Sequence, residues 1–267
     1  MKAYLLNALL FSSLFFGVST LSFNALCQTK AASTADDSLA LTLLKASDEA
    51  RGSVTEGLVW DSEIETIEDG ESNTRQFLVK AKDHDALVEA VAPPRNKGEV
   101  YIFNDRNMWF YKSSLKKPVS ISARQKLSGQ ASNGDIASTH YARDYTPSIE
   151  KTETINGEKF YVLMLKAKSD NLTYDMIRYW ISDKTKLAGK AEFLNLQGKP
   201  FKIGEMHYNN QISTGPAGSS SGKKIPFISQ LIITDAKYPQ NKSTLTYKAP
   251  RLEKLPSSIF NVNNLSR

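Results

Sequence analysis

Three runs decide the fold: Val100-Tyr101-Ile102-Phe103, Met108-Trp109-Phe110-Tyr111 and Phe160-Tyr161-Val162-Leu163-Met164-Leu165. All three are apolar at every position. An antiparallel sheet with one wet face alternates apolar with polar residues, so strands of this kind must be covered on both faces. Outward from them, period-two runs separated by turn residues recur at 57–69, 73–83, 86–92, 98–103, 107–112, 118–122, 145–155, 158–168, 175–183, 188–197, 200–209, 226–235 and 242–249. An α+β fold that is mainly antiparallel β follows. Asn156-Gly157 is the strongest hairpin signal, because both residues accept the positive φ of a type I′ turn. In that register Ile149, Lys151, Glu153 and Ile155 share a face with Phe160, Val162 and Met164. The turn at 104–107 sets Ile102 opposite Trp109 and Tyr101 opposite Phe110.

Helical spacing is confined to a few places. Leu39, Ala40, Leu43, Leu44, Ala46 and Ala50 predict an amphipathic helix over 36–51, capped by Asp36 or Asp37 and ended by Gly52. The Ser-, Gly- and Asn-rich stretch 123–140 interrupts the strand series as an insertion over the sheet, with a short helix after Asn133-Gly134 that Asp135 caps. A second short helix is expected near the end, with Pro256 at its start. One large sheet with so few helices is short of covering elements. Its inner side must be filled by a helix, by the sheet curling on itself, or by an apolar ligand. A cavity and an ordinary packed core of aromatics both satisfy that requirement.

The chain has 267 residues, 40% of them hydrophobic, with 34 Lys and Arg against 28 Asp and Glu. A disordered chain is excluded. With one Cys and three His, neither a disulfide framework nor a usual structural zinc site is possible. The net charge of +6 suits contact with anionic membrane surfaces, while the dispersal of the positive residues argues against nucleic acid as a partner. Met1-Lys2 precedes an apolar run over 3–23, which reads as a signal peptide occupying 1–27. Ala25-Leu26-Cys27 sets small residues at −3 and −1 and favours cleavage before Gln28; lipidation of Cys27, which Leu26 fits poorly, and an uncleaved anchor are the alternatives. Cleavage would remove Lys2 alone among the charges and lower the net charge from +6 to +5.

Chemical motifs are weak. Asp83-His84-Asp85 reads as a solvated turn, since a strand would point His84 away from both carboxylates. Asp135 and His140 are five apart, off the spacing that would pair them on a helix. The G-x-S-x-G at 218–222 lacks the strand before and helix after that a nucleophile elbow needs. No catalytic residue, metal or cofactor is predicted.

The stretches GEVYIFNDRNMWFY at 98–111, RQKLSGQASNGD at 124–135 and INGEKFYVLMLKAK at 155–168 are similar to the outer membrane lipoprotein-sorting branch of the LolA-like superfamily. The similarity covers about 38–267, with Trp109, Tyr111, Ser132-Asn133-Gly134-Asp135 and Tyr145 its most specific points. What the resemblance implies is an unclosed, half β-barrel over 28–267 whose concave hydrophobic face is covered by helices. Such a protein would work as a monomer in the periplasm of a Gram-negative bacterium, carrying lipid or lipoprotein acyl chains between inner and outer membranes. An accessory role beside an inner-membrane exporter and a lipid hydrolase on the same fold are the competing readings. The expected cavity residues are Trp60, Phe77, Tyr101, Phe103, Trp109, Tyr111, Phe160, Val162, Met164, Tyr179 and Phe193. Leu43, Leu44, Arg51 and Asp135 belong to the expected lid, with Arg51 placed either to latch it by bonding backbone carbonyls or as a plain helix-terminal arginine.

Overall fold

A computed structural model describes residues 22–53, 57–137, 140–213 and 222–265, with the backbone alone for 22–35. The signal segment expected at 1–27 and the motif at 218–222 fall mainly outside these residues. Asp36–Arg267 forms a compact unit that contains every strand. Helix α1 (Ser22–Glu49) is followed by strands β1 (Leu58–Glu68), β2 (Glu71–Lys82), β3 (Asp85–Ala92), β4 (Val100–Asn104), β5 (Asn107–Tyr111) and β6 (Val119–Ile121). The insertion holds β7 (Lys126–Ser128), β8 (Ala131–Ser132), a 3-10 turn at Asn133–Ile136 and helix α2 (Tyr141–Asp144). The second half runs through β9 (Tyr145–Ile155), β10 (Glu158–Ala167), β11 (Met176–Ser182), β12 (Ala188–Leu194) and β13 (Pro200–His207). It ends with β14 (Asn210–Ser213), β15 (Lys224–Phe227), β16 (Gln230–Asp235) and β17 (Lys242–Leu252).

Thirteen strands make one antiparallel sheet in the order β6-β5-β4-β3-β2-β1-β17-β16-β13-β12-β11-β10-β9. Its edge strands β6 and β9 do not pair with each other, so the sheet is an unclosed half-barrel. Turn chemistry sets the registers. Asn156 and Gly157 both take positive φ, 51° and 80°, and pair Ile155 with Glu158. Ile102 faces Trp109 and Tyr101 faces Phe110, as the turn at 104–107 requires.

Several expectations need correction. α1 does not start at Asp36, because the alanine-rich residues before it are good helix formers and the helix runs through. Ile149 does not share a face with Met164: a bulge at Val162/Leu163 pairs it with Leu163 instead. The run 226–235 is two strands, with β15 turning back onto β14 in a separate hairpin. Near the end stand two 3-10 turns, Ser257–Phe260 and Val262–Asn264, in place of one helix.

Alternation sorts the strands into two faces. The face that α1 and the insertion cover collects Trp60, Ile64, Phe77, Val79, Tyr101, Leu163, Tyr179 and Phe193 against Ala40, Leu43 and Leu44. On the opposite face Val59, Leu87 and Ile102 pack under Leu255 and Phe260. The hairpin β7–β8 lies close on the sheet: Gly129 has φ +53°, and a Cβ there would come within 2.6 Å of Ser243 Oγ and 2.8 Å of Thr66 Cβ. Ser243 Oγ fastens this turn, accepting from the Gln130 N–H at 2.7 Å and donating to the Ser128 carbonyl at 3.0 Å.

Candidate functional site

The helix-covered face is the candidate site, and two buried polar centres hold its cover in place. The first stands at the end of α1, where Leu44 and Asp48 share one helix face and Arg51 follows in the turn after Glu49. Asp48 Oδ2 accepts from the Ala142 N–H at 2.7 Å and so ties α1 to α2. Burial pushes the Asp48 carboxyl up to about 7, against the backbone N–H groups of Ala142 and Tyr141 and the charge of Arg51. The Arg51 guanidinium stacks 4.2 Å from the Tyr141 ring centroid, and its charge acts on the buried Tyr141 and Tyr179 hydroxyls. Ser47 Oγ lies 3.3 Å from the Tyr179 hydroxyl.

The second centre lies under the insertion. Asp135 closes the 3-10 turn by accepting from the Ser132 N–H at 2.8 Å. It also accepts from the Tyr174 hydroxyl at 2.8 Å, while Tyr174 stacks on Phe193 with centroids 3.9 Å apart. Burial raises the Asp135 pKa and lowers that of Lys202, whose ammonium donates to Ser132 Oγ at 3.1 Å. Beside α2, His140 is pushed down to about 4 by burial, with His84 and Arg143 adding repulsion. Its Nδ1 is 2.9 Å from Ser53 Oγ.

Of the expected cavity residues, Trp60, Phe77, Tyr101, Phe103, Tyr179 and Phe193 come together on the covered face, as do Leu43 and Leu44 of α1. Trp109 packs on the other face with Ile102 and Phe260, and alternation puts Tyr111 there too. Phe160, Val162 and Met164 also point away from the cover, since Tyr161, Leu163 and Leu165 take the inner positions. Arg51 and Asp135 belong to the polar centres. Asp48, Tyr141 and Tyr174 were missed, although a carboxylate and an arginine on the apolar face of a predicted helix were a legible sign of a buried pair.

The covered face is filled by its own side chains rather than left open. Trp60, Ile64, Phe77, Tyr145, Leu163, Tyr179 and Phe227 are each less than 2% exposed, and Trp60 packs against Phe227 and Tyr247 with centroids 5.9 and 6.3 Å away. Clefts among the described residues lie elsewhere: about 750 Å³ lined by Trp109, Pro118 and Phe260, about 470 Å³ lined by Arg75 and Lys126, and about 390 Å³ beside the Asn156-Gly157 turn. A cleft of about 40 Å³ adjoins His84 and His140. The inner vacancy expected from the shortage of helices is taken up by tyrosine and tryptophan rings.

Comparison with known proteins agrees with this architecture. A family model described as "Uncharacterized protein" matches residues 82–267. A solved LolA superfamily protein from Nitrosomonas europaea is 26% identical, with a TM-score of 0.73 over 84% of this chain and 98% of that one. A domain from Vibrio parahaemolyticus named for outer membrane lipoprotein sorting is 18% identical, TM-score 0.69, over 86% of this chain and all (100%) of that one. A DUF1329 family protein from Desulfovibrio piger is 17% identical, TM-score 0.69, over 86% of this chain and 99% of that one. Among curated proteins nothing matches. The chain belongs to the family whose model it matches over 82–267, and its fold is LolA-like.

Proposed function

We propose that the protein is a periplasmic carrier that shelters the acyl chains of a lipid or lipoprotein on the inner face of the half-barrel. The observation that carries this reading is the likeness to a LolA superfamily protein over nearly the whole of that protein's length. The signal segment at 1–27 supports export, and a neighbour named for lipoprotein sorting supports a lipoprotein cargo. A filled inner face then describes the unloaded form. Cargo takes the place of α1, whose Leu43 and Leu44 are the apolar groups it must displace.

The magnitudes permit that exchange. Uncovering two leucines costs roughly 3–6 kcal/mol and breaking the Asp48–Ala142 bond roughly 1.5–3 more, whereas burying a chain of about a dozen methylenes gains roughly 10 kcal/mol before binding costs. Loading selects an opened state that the empty protein visits rarely. No group on the site needs to react.

A filled interior also favours a second reading, an accessory subunit of an inner-membrane exporter that never uses the face for cargo. Native mass spectrometry of the protein purified from the periplasm separates the two. One acyl lipid per chain, released by solvent extraction, is the expected result. A lipid-free chain that also fails to take up added lauroyl or palmitoyl lipid would overturn the carrier reading and leave the accessory one.

A further inference from the structure

Two buried polar groups on the inner face have nothing among the described residues to bond. Trp60 and Ser62 alternate inward on β1 and are 0% and 2% exposed. Neither the Trp60 Nε1–H nor the Ser62 hydroxyl has a hydrogen-bond partner there. Other deeply buried groups of the same kinds are paired: Trp180 Nε1 donates to Glu153 at 2.6 Å, Ser47 Oγ lies 3.3 Å from the Tyr179 hydroxyl, and Ser243 Oγ donates to the Ser128 carbonyl at 3.0 Å. An orphaned buried donor costs folding free energy, so a folded chain keeps few, and those it keeps call for a reason. Here two stand on one strand, two residues and about 7 Å apart along it.

Across the register Trp60 faces Val79, and Ser62 stands between Phe77 and Tyr247, so these neighbours are apolar but for one phenol. The indole can only donate, which fixes what satisfies it: an acceptor carried by an otherwise apolar guest. An ester carbonyl is such a group. An amide would add an N–H to a row whose indole cannot accept one, and a carboxylate or phosphate would be stripped of water against neutral donors. Arg51, whose charge reaches Tyr247, already faces Asp48, Tyr141 and Tyr179.

We infer that Trp60 Nε1 and Ser62 Oγ receive the carbonyl of an acyl ester, which makes them specificity-determining groups of the inner face. The inference rests on the carrier reading and sharpens it. Hydrocarbon alone gains only from the rings, whereas an ester also relieves donors that the empty protein leaves unmet. Cargo acylated through an ester is therefore selected over cargo that carries the same chain on an ether.

The test is calorimetric titration of the exported protein, with the N-terminus it carries in the cell, against 1-lauroylglycerol and 1-O-dodecylglycerol, which differ only in a carbonyl against a methylene. Wild type is expected to bind the ester at least about tenfold more tightly than the ether. In Ser62→Ala the ester affinity should fall about fivefold to tenfold with the ether affinity unchanged. The urea midpoint of that variant should equal or exceed the wild-type value, because the hydroxyl removed had no partner. Trp60→Phe, which keeps a ring without the N–H, should narrow the ester-to-ether ratio in the same way. Equal affinity of wild type for the two lipids, a wild-type ratio in either variant, or a lowered midpoint in Ser62→Ala would overturn the inference and leave the carrier reading standing. Binding of neither lipid by wild type would overturn both.

Discussion

Trp60→Ala is expected to lower the free energy of unfolding by about 3–5 kcal/mol, the range for removing a fully buried large aromatic. Trp60 is 0% exposed on β1, wedged between Phe227 and Tyr247 under the cover of the half-barrel. Its neighbours come from β15 and β17, and alanine would leave a void that rigid strands on either side cannot close. The effect reads directly on whether the inner face is filled. A tryptophan lining an open groove has already lost half its contacts, and its removal would cost less than about 1 kcal/mol. Urea denaturation checks this: the midpoint should fall with the slope unchanged.

The second large effect concerns pH and the two groups at the junction of α1 and α2. Buried His140 titrates at about 4 in the folded chain against an ordinary 6.5, so between these values the unfolded chain takes up more protons. Its contribution is full above 6.5 and is lost as the pH falls towards 4. Asp48 has the opposite sign. Its folded pKa of about 7 stands above the ordinary 3.8, so the folded chain takes up more protons in that window and stability is lost as the pH rises. The two slopes oppose each other, and wild-type stability should vary little from pH 4 to 6.5. Asp48→Asn uncovers the histidine, and stability should climb by about 3 kcal/mol across that range. His140→Asn uncovers the carboxyl, and stability should fall by a similar amount, about 3 kcal/mol, as the pH rises. Urea midpoints at a series of pH values read both variants; profiles that parallel wild type would remove Asp48 and His140 from this role.

Much of the fold was legible because strand period and turn chemistry act locally. Asn156-Gly157 fixed one hairpin through two positive φ values, and the turn at 104–107 fixed the facing of Trp109 and Ile102. The bulge at Val162/Leu163 was not legible, since one extra residue leaves the period-two pattern intact on either side and shifts the face only in three dimensions. Whether Trp109, Phe160 and Met164 lie on the covered face or the opposite one was not legible for a different reason: runs apolar at every position carry no alternation to sort the two faces. The polar centres depend on contacts between distant segments. Asp135 reaches Tyr174 across 39 positions and Asp48 reaches Ala142 across 94, separations to which no periodicity refers. What could be read was the oddity of Asp48 and Arg51 on the face that also carries Leu44.

Hydrogen exchange of α1 with and without cargo tests the carrier account most directly, because cargo is held to replace that helix on the inner face. Amides of residues 40–49 should exchange at least about tenfold faster once an acyl lipid is bound, while those of β1 and β17 stay protected. Lipid that binds with the exchange of α1 unchanged or slowed would contradict it.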